Sequence, residues 1–192
     1  VFVIASGPTL DEAIPYLEKM KKKGILLCLS HSLNAVMNSG IIPDAVIAID
    51  GGFSIRKHFS NEIISNSNEI TLITALSVYP ELVHKWKGNI SIVNIDMPFE
   101  KIFFPDALKI PVAGTVAATA FLLARKITNG QIFFVGLDLS FTNNKYHHKG
   151  SLAEEELILN STRFNPAESR IQKIIRSFQT LNVSSRNGGI IK

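Results

Sequence analysis

VFVIASGPTLDEAIPYLEKMKKKGILLCLS, residues 1–30, contains the unit whose reading decides the fold. Val1 to Ala5 is an unbroken apolar run. Ser6-Gly7-Pro8 interrupts it as a turn, and Leu10 to Lys23 then spaces its apolar residues as a helix does. Ile25 to Leu29 is a second apolar run. Neither run alternates apolar with polar residues, which is what strands covered on both faces look like. Two such strands joined through a helix make a parallel crossover.

The same rhythm continues outward. Further strands are predicted at Ala45–Ile49, Ile70–Thr74, Ile90–Ile95, Ile132–Val135 and Leu181–Val183, with helices at Leu33–Ser39, Phe53–Ile64, Tyr79–Trp86 and Thr115–Ile127. Alternating strand and helix implies an α/β class: a Rossmann-like open, mostly parallel sheet with helices on both faces. No period of repeat length recurs. After Val135 the composition turns polar, through SFTNNKYHHKGS (140–151), and two more helices are predicted at Leu152–Asn160 and Pro166–Thr180. Residues 140–180 therefore read as a lid-like insertion, or as plain connecting structure, within one domain spanning 1–192. A first residue that is Val, already inside a strand, and an ending in NGGIIK suggest a domain from a longer protein. No signal-peptide pattern opens it.

Composition excludes several classes of protein. With 192 residues, 46% hydrophobic and 19% charged, the chain can bury a core and is not a disordered polymer. One cysteine, Cys28, excludes a disulfide framework and a multi-cysteine zinc site. The longest near-apolar stretch, Val112 to Ala124, is 13 residues, against about 20 for a membrane span. A cytoplasmic protein is expected. The net charge of +4 is spread over Lys19, Lys21, Lys22, Lys23, Lys85, Lys87, Lys101, Lys109, Arg125 and Lys126. The three Tyr and one Trp are not interleaved with these cations as stacking platforms, so a nucleic-acid partner is not expected. Phe103-Phe104 and Phe133-Phe134 read as core.

The residues able to carry chemistry gather after strand ends, where ligands collect in open α/β sheets. Ser6, Gly7, Pro8 and Thr9 form a strand-to-helix turn with a Thr9-x-x-Glu12 capping box. Such a turn can present backbone N–H groups to an anion, or can simply connect tightly. Asp50, Asp96 and Asp138 each follow a strand, as ligand contacts or as caps. None forms the Asp-x-Asp pair that holds a divalent metal and a sugar diphosphate. Ser30, His31, Ser32 and Asn34 follow the second strand and can reach a sugar or base. Gly114 and Thr115 open the most apolar helix, either for close ligand approach or for tight packing, with Thr115 as its natural N-cap. Gly136, Leu137 and Asp138 form the turn after the next strand. His147 and His148 lie in the polar loop, suited to general-base work or merely solvated. No metal site is read at them. His58 and His84 fall on surface-helix patterns and are assigned nothing.

Taken together, ASGPTLDEAIPYL and GIIPDAVIAIDGG resemble the opening of the Maf (motility-associated factor) and MptE-like family. GTVAATAFLLARKITNGQIFFVGLDLSFTNNKYHHKG is similar to its second block, and Asn187-Gly188-Gly189 looks like the start of a third. The resemblance implies one of two activities. Maf proteins transfer nonulosonic (sialic-acid-like) sugars from CMP donors to flagellin Ser or Thr. MptE-type members are hydroxymethylpterin pyrophosphokinases that use ATP and magnesium. Both blocks also look like those of bacterial CMP-sialic-acid transferases. By that match Ser6, Gly7 and Pro8 would lie at the CMP phosphate and ribose, Gly114 and Thr115 at the carboxylate or phosphate, and Gly136 to Asp138 at the cytidine. Ala5 and Ala113 depart from the transferase pattern, where Asn and a hydroxyl residue stand. The expected function is therefore a CMP-sugar transferase needing no cofactor, with a nucleotide-sugar and a flagellin, other protein or glycan acceptor as partners, and with His147 or His148 as base. The alternatives are the Mg2+-dependent pyrophosphokinase, with Asp50, Asp96 or Asp138 as ligands, and a non-catalytic nucleotide-sugar-binding domain.

Overall fold

The computed structural model describes residues 1–111, 113–142, 145–177, 181–184 and 190–191. Six parallel strands make the central sheet: β1 Phe2–Ile4, β2 Leu26–Leu29, β3 Ala45–Ala48, β4 Thr71–Thr74, β5 Ile90–Ile92 and β6 Phe133–Val135. Their order is β5-β4-β3-β2-β1-β6. The chain thus steps outward from β1 four times, to β5, and then crosses back to β1's other side. The reversal leaves a crevice at the carboxyl ends of β1 and β6, the position where such sheets hold ligands.

Burial explains the unbroken apolar runs. Ile4, Leu26, Cys28, Val46, Ala48 and Leu72 point into one core, while Val3, Ala5, Leu27, Leu29, Ala45, Ile47 and Ile73 point into the other. The first face is covered by α1 Leu10–Ala13, α2 Leu17–Lys21, α3 Leu33–Asn38, α4 Asn61–Ser65 and α5 Pro80–Lys85, through Leu10, Leu17, Leu33, Val36, Ile63 and Leu82. After α6 Pro98–Phe103 comes α7 Val116–Ile127, which lies on the opposite face across β1, β2 and β3. Helices on opposite faces are what right-handed crossovers require when the stepping direction reverses. Ala120 and Ala124, both buried, let α7 approach the sheet closely.

Several elements depart from the sequence reading. The helix predicted over Leu10–Lys23 is broken by a 3-10 turn at Ile14–Tyr16, because Pro15 cannot donate into an α-helical ladder. Phe53–His58 is 3-10, and Ser60 starts α4 afresh by accepting from the Ile63 N–H at 3.2 Å. The segment Met97–Phe103 was not read as a helix. Its Glu100 turns inward, only 1% exposed, and accepts from the N–H groups of Ile95 (2.7 Å) and Met97 (3.2 Å). That inward carboxylate sends Phe103 outward at 68% exposure, contrary to its reading as core. Phe133 and Phe134 are also 46% and 40% exposed, since β6 is an edge strand of the described sheet.

Beyond β6, β7 Ser140–Phe141, β8 Leu181–Ser184 and β9 Ile190–Ile191 form a separate antiparallel sheet in the order β7-β9-β8. The predicted strand at Leu181–Val183 therefore belongs to a second sheet and not the parallel one. Between β7 and β8 lie α8 Leu152–Leu159 and α9 Ala167–Ser177, around a small core of Phe141, Ile171 and Ile175. The last part of the helix predicted to Thr180, Val112 and the Asn187-Gly188-Gly189 motif lie outside the described residues. Among the described residues, no helix is long and apolar enough to cross a membrane.

Candidate functional site

The turn after β1 stays zipped to β6. Ala5 N–H donates to the Val135 carbonyl and Gly7 N–H to that of Gly136, each at 2.7 Å. Close approach fixes both glycines. A Cβ on Gly7 would stand 2.0 Å from Asp138 Oδ2 and 2.6 Å from the Gly136 carbonyl oxygen. Gly136 adopts φ +70°, and a Cβ there would stand 2.6 Å from the Ala5 carbonyl oxygen.

Asp138 reaches across this junction, and its Oδ2 accepts from the Thr9 N–H at 3.1 Å. A carboxylate beside the first backbone amides of a helix is favourably placed. The Thr9 side chain makes no cap, contrary to the capping box predicted from the sequence. Its backbone is already helical (φ −71°, ψ −7°), so the hydroxyl is not turned toward α1's orphan amides. Two of the amides expected to face an anion, those of Gly7 and Thr9, are thus engaged inside the protein.

The polar segment after β6 folds back over the same turn. His148 N–H donates to the Ser6 carbonyl at 2.8 Å, and the Lys149 N–H meets both Asp11 carboxylate oxygens at 3.1 and 3.0 Å. Lys57, from the turn after β3, pairs with Glu156 of α8 at 2.5 Å. The segment is therefore fastened to the turn after β1, to α1 and to the 3-10 turn after β3.

These fastenings give the two histidines different surroundings. His148 is 1% exposed, with Nδ1 2.9 Å from the Lys149 carbonyl and Nε2 3.3 Å from that of His31. It ties the segment to the loop after β2. His147 is half-buried, with Nδ1 3.0 Å from Ser6 Oγ and 3.3 Å from the Ser6 carbonyl. Its ring lies parallel to that of His31, at 4° and 6.2 Å between centroids.

His31 in turn meets His58, with centroids 3.9 Å apart. Sequence reasoning assigned nothing to His58. Its position eight residues past Asp50, on the segment leaving β3's carboxyl end, was the available signal. Partial removal from water lowers the pKa of His31, helped by His148 and opposed by the Asp50 carboxylate. His58 falls further, to about 4, through loss of solvent and repulsion from His31 and His147, against Asp50 and Glu156.

Other predicted residues take separate places. Ser30 is buried, its Oγ 3.4 Å from His31 Nδ1. Ser32, also buried, donates to the carbonyls of Ile4 (2.7 Å) and Leu29 (2.9 Å). Asp50 is exposed beside the imidazoles, with Oδ1 accepting from Gly52 N–H at 2.8 Å. Pro8 and Leu137 flank the zipped turn in the chain and are partly buried. Thr115 caps α7, its Oγ1 accepting from Ala118 N–H at 3.1 Å, and Gly114 precedes it exposed at φ +79°.

The three strand-end aspartates do not converge. β5 and β6 are opposite edges of the sheet, five strand spacings or about 24 Å apart, which separates Asp96 from Asp138. Asp96 pairs with Lys101 at 2.8 Å, which holds its carboxyl below the usual range. Among the described residues, no three His, Cys, Asp or Glu side chains stand where they could hold one metal ion.

Comparisons with known proteins bear on this geometry. The profile of the family described as 6-hydroxymethylpterin diphosphokinase MptE-like matches residues 1–144. One uncharacterized protein of Treponema pallidum (strain Nichols) is 25% identical over 175 aligned positions, covering 86% of this chain and 30% of the relative. A second from the same organism is 28% identical over 145 positions, covering 67% and 36%. Among solved structures, the Maf glycosyltransferase from Magnetospirillum magneticum AMB-1 matches with TM-score 0.63 at 16% identity, over 91% of this chain and 30% of that one. At that identity the likeness concerns the fold. The chain spans about a third of the length of each of these relatives.

Proposed function

This chain belongs to the MptE-like family, and within it we propose a glycosyltransferase-like domain that moves a nonulosonic, sialic-acid-like sugar from a CMP donor to a hydroxyl acceptor such as protein Ser or Thr. The observation that carries the reading is His147, brought by the folded-back segment onto Ser6 at the β1–β6 crevice. Nδ1 meets the Ser6 hydroxyl, which can donate or accept, and the Ser6 carbonyl, which can only accept; the tautomer protonated on Nδ1 suits both and carries its lone pair on Nε2. An imidazole in that tautomer is a general base.

The reaction asks for little else. The bond between the anomeric carbon and the phosphate oxygen breaks, and its electron pair leaves with CMP. The acceptor oxygen bonds to the anomeric carbon, and its proton passes to His147 Nε2. A monophosphate leaving group can be held by neutral donors and imidazoles without a metal. The match to a Maf glycosyltransferase fold supports the same reading.

The second reading, a magnesium- and ATP-dependent pyrophosphokinase, is favoured by the description of the matching family. It needs carboxylates that share a cation between phosphates. Asp50, Asp96 and Asp138 follow three different strands, β3, β5 and β6, of which β5 and β6 are opposite edges of the sheet.

The test is CMP release from a CMP-activated nonulosonate with a hydroxyl acceptor, in the presence of EDTA. Turnover is expected, and His147→Ala should reduce it about 100-fold or more with the fold intact. Turnover seen only with ATP, a pterin alcohol and magnesium would establish the second reading. No turnover with either substrate set would favour a binding domain.

A further inference from the structure

We infer that His31 and His58, beside His147, form the subsite for the phosphate group of the donor nucleotide. This deepens the transferase reading and rests on it for the identity of the molecule that carries the phosphate. Three segments distant in sequence meet here: the loop after β2, the 3-10 turn after β3, and the polar segment after β6. Their rings are 3.9 Å (His31–His58) and 6.2 Å (His31–His147) apart between centroids.

Three of the nearby donors are already engaged within the protein. The Gly7 N–H serves the Gly136 carbonyl, and the Thr9 N–H serves Asp138. Lys57, next to His58 in the chain, is paired with Glu156. A phosphate entering the crevice brings up to two negative charges, and the imidazole pair is the group that can change charge to meet them. Apart from a ligand, removal from water, joined by repulsion from His148 at His31 and from His31 and His147 at His58, favours the neutral form of both rings. The groups facing it are the rings of His147 and His148 together with Asp50 at both rings and Glu156 at His58. An anion held against the edges of the two rings reverses that balance, since opposite charge favours the protonated form. Phosphate binding therefore takes up protons from solvent. The division of labour is then clear: His31 and His58 take the leaving phosphate, and His147 takes the acceptor's proton.

The measurement is proton NMR of the imidazole C2–H signals of the 192-residue chain between pH 4 and 9. His31 and His58 are assigned with His31→Gln and His58→Gln, and the probes are inorganic phosphate, CMP and cytidine. Phosphate and CMP are expected to raise the titration midpoints of both rings by about one pH unit or more, and cytidine to leave them unmoved. His58→Gln should weaken CMP binding about tenfold. If CMP binds while both rings keep their midpoints, or if His58→Gln binds CMP as the parent does, the subsite is wrong although the transferase reading stands. If phosphate moves both rings and CMP saturates the shift at no lower a concentration than phosphate does, the subsite is supported and the CMP-donor reading fails. If neither probe moves them, the subsite is overturned.

Discussion

At the residue scale the site depends on close backbone approach more than on any single reactive group. Gly7 shows this most directly, because its missing Cβ is what lets Asp138 sit against the turn after β1. Gly7→Ala forces the turn away from β6 or displaces the Asp138 carboxylate from the Thr9 N–H. The expected loss is about 1–3 kcal/mol, as for overpacking elsewhere, read from urea unfolding. An unchanged midpoint would show that the turn has more room than this geometry gives it. The sequence marked Ser6, Gly7, Asp138 and His147 because all four stand just past strand ends or in the polar loop. It could not separate His147 from His148. That difference depends on which imidazole the folded-back segment buries against the His31 carbonyl, a contact between residues 117 positions apart. His58 stayed hidden for the same reason, since only the partner ring of His31 gives it meaning.

At the element scale, local rules worked where the chain's own amides decided the outcome. Thr115 was read as a helix cap, and it caps α7. Thr115→Ala is expected to cost about 1 kcal/mol, seen as a lower thermal midpoint, while Thr115→Ser should recover most of it. The Thr9 cap failed because its backbone is already helical, which turns the hydroxyl away from the first free amides of α1. α6 was missed because Glu100, a polar residue, is the one turned inward, which inverts the hydrophobic pattern on which a helix is recognised. The exposed Phe103 follows from that inversion. The segment 145–177 is an element of its own kind: weakly patterned in sequence, yet fastened through His148, Lys149 and Glu156 to the turn after β1, to α1 and to the 3-10 turn after β3.

For the whole molecule, parallel strands between two apolar cores were legible from the first 30 residues, because doubly covered strands leave no polar positions to disguise them. Strand order was not legible. The return of β6 to the side of β1 depends on which face α7 covers, and that return creates the crevice. The histidine cluster also shapes the stability of the whole fold. His58 titrates near pH 4 when folded, against about 6.5 for an unperturbed imidazole. Between those values the unfolded chain binds more protons. Stability from this source is therefore complete above about pH 6.5 and is lost as pH falls toward 4. Chemical unfolding across that window should show the decline, and His58→Gln should flatten it. A protein that becomes more stable on acidification over the same range would contradict the cluster's geometry.

The central claim is that the crevice between β1 and β6 accepts a cytidine monophosphate without help from magnesium. Thermal unfolding in the presence of CMP, CDP and ATP, each with and without magnesium, tests it most directly. A bound ligand raises the midpoint in proportion to the logarithm of its excess over the dissociation constant. The expected result is a rise with CMP that grows with its concentration and is the same in EDTA. A rise with ATP alone, present only when magnesium is added, would contradict it.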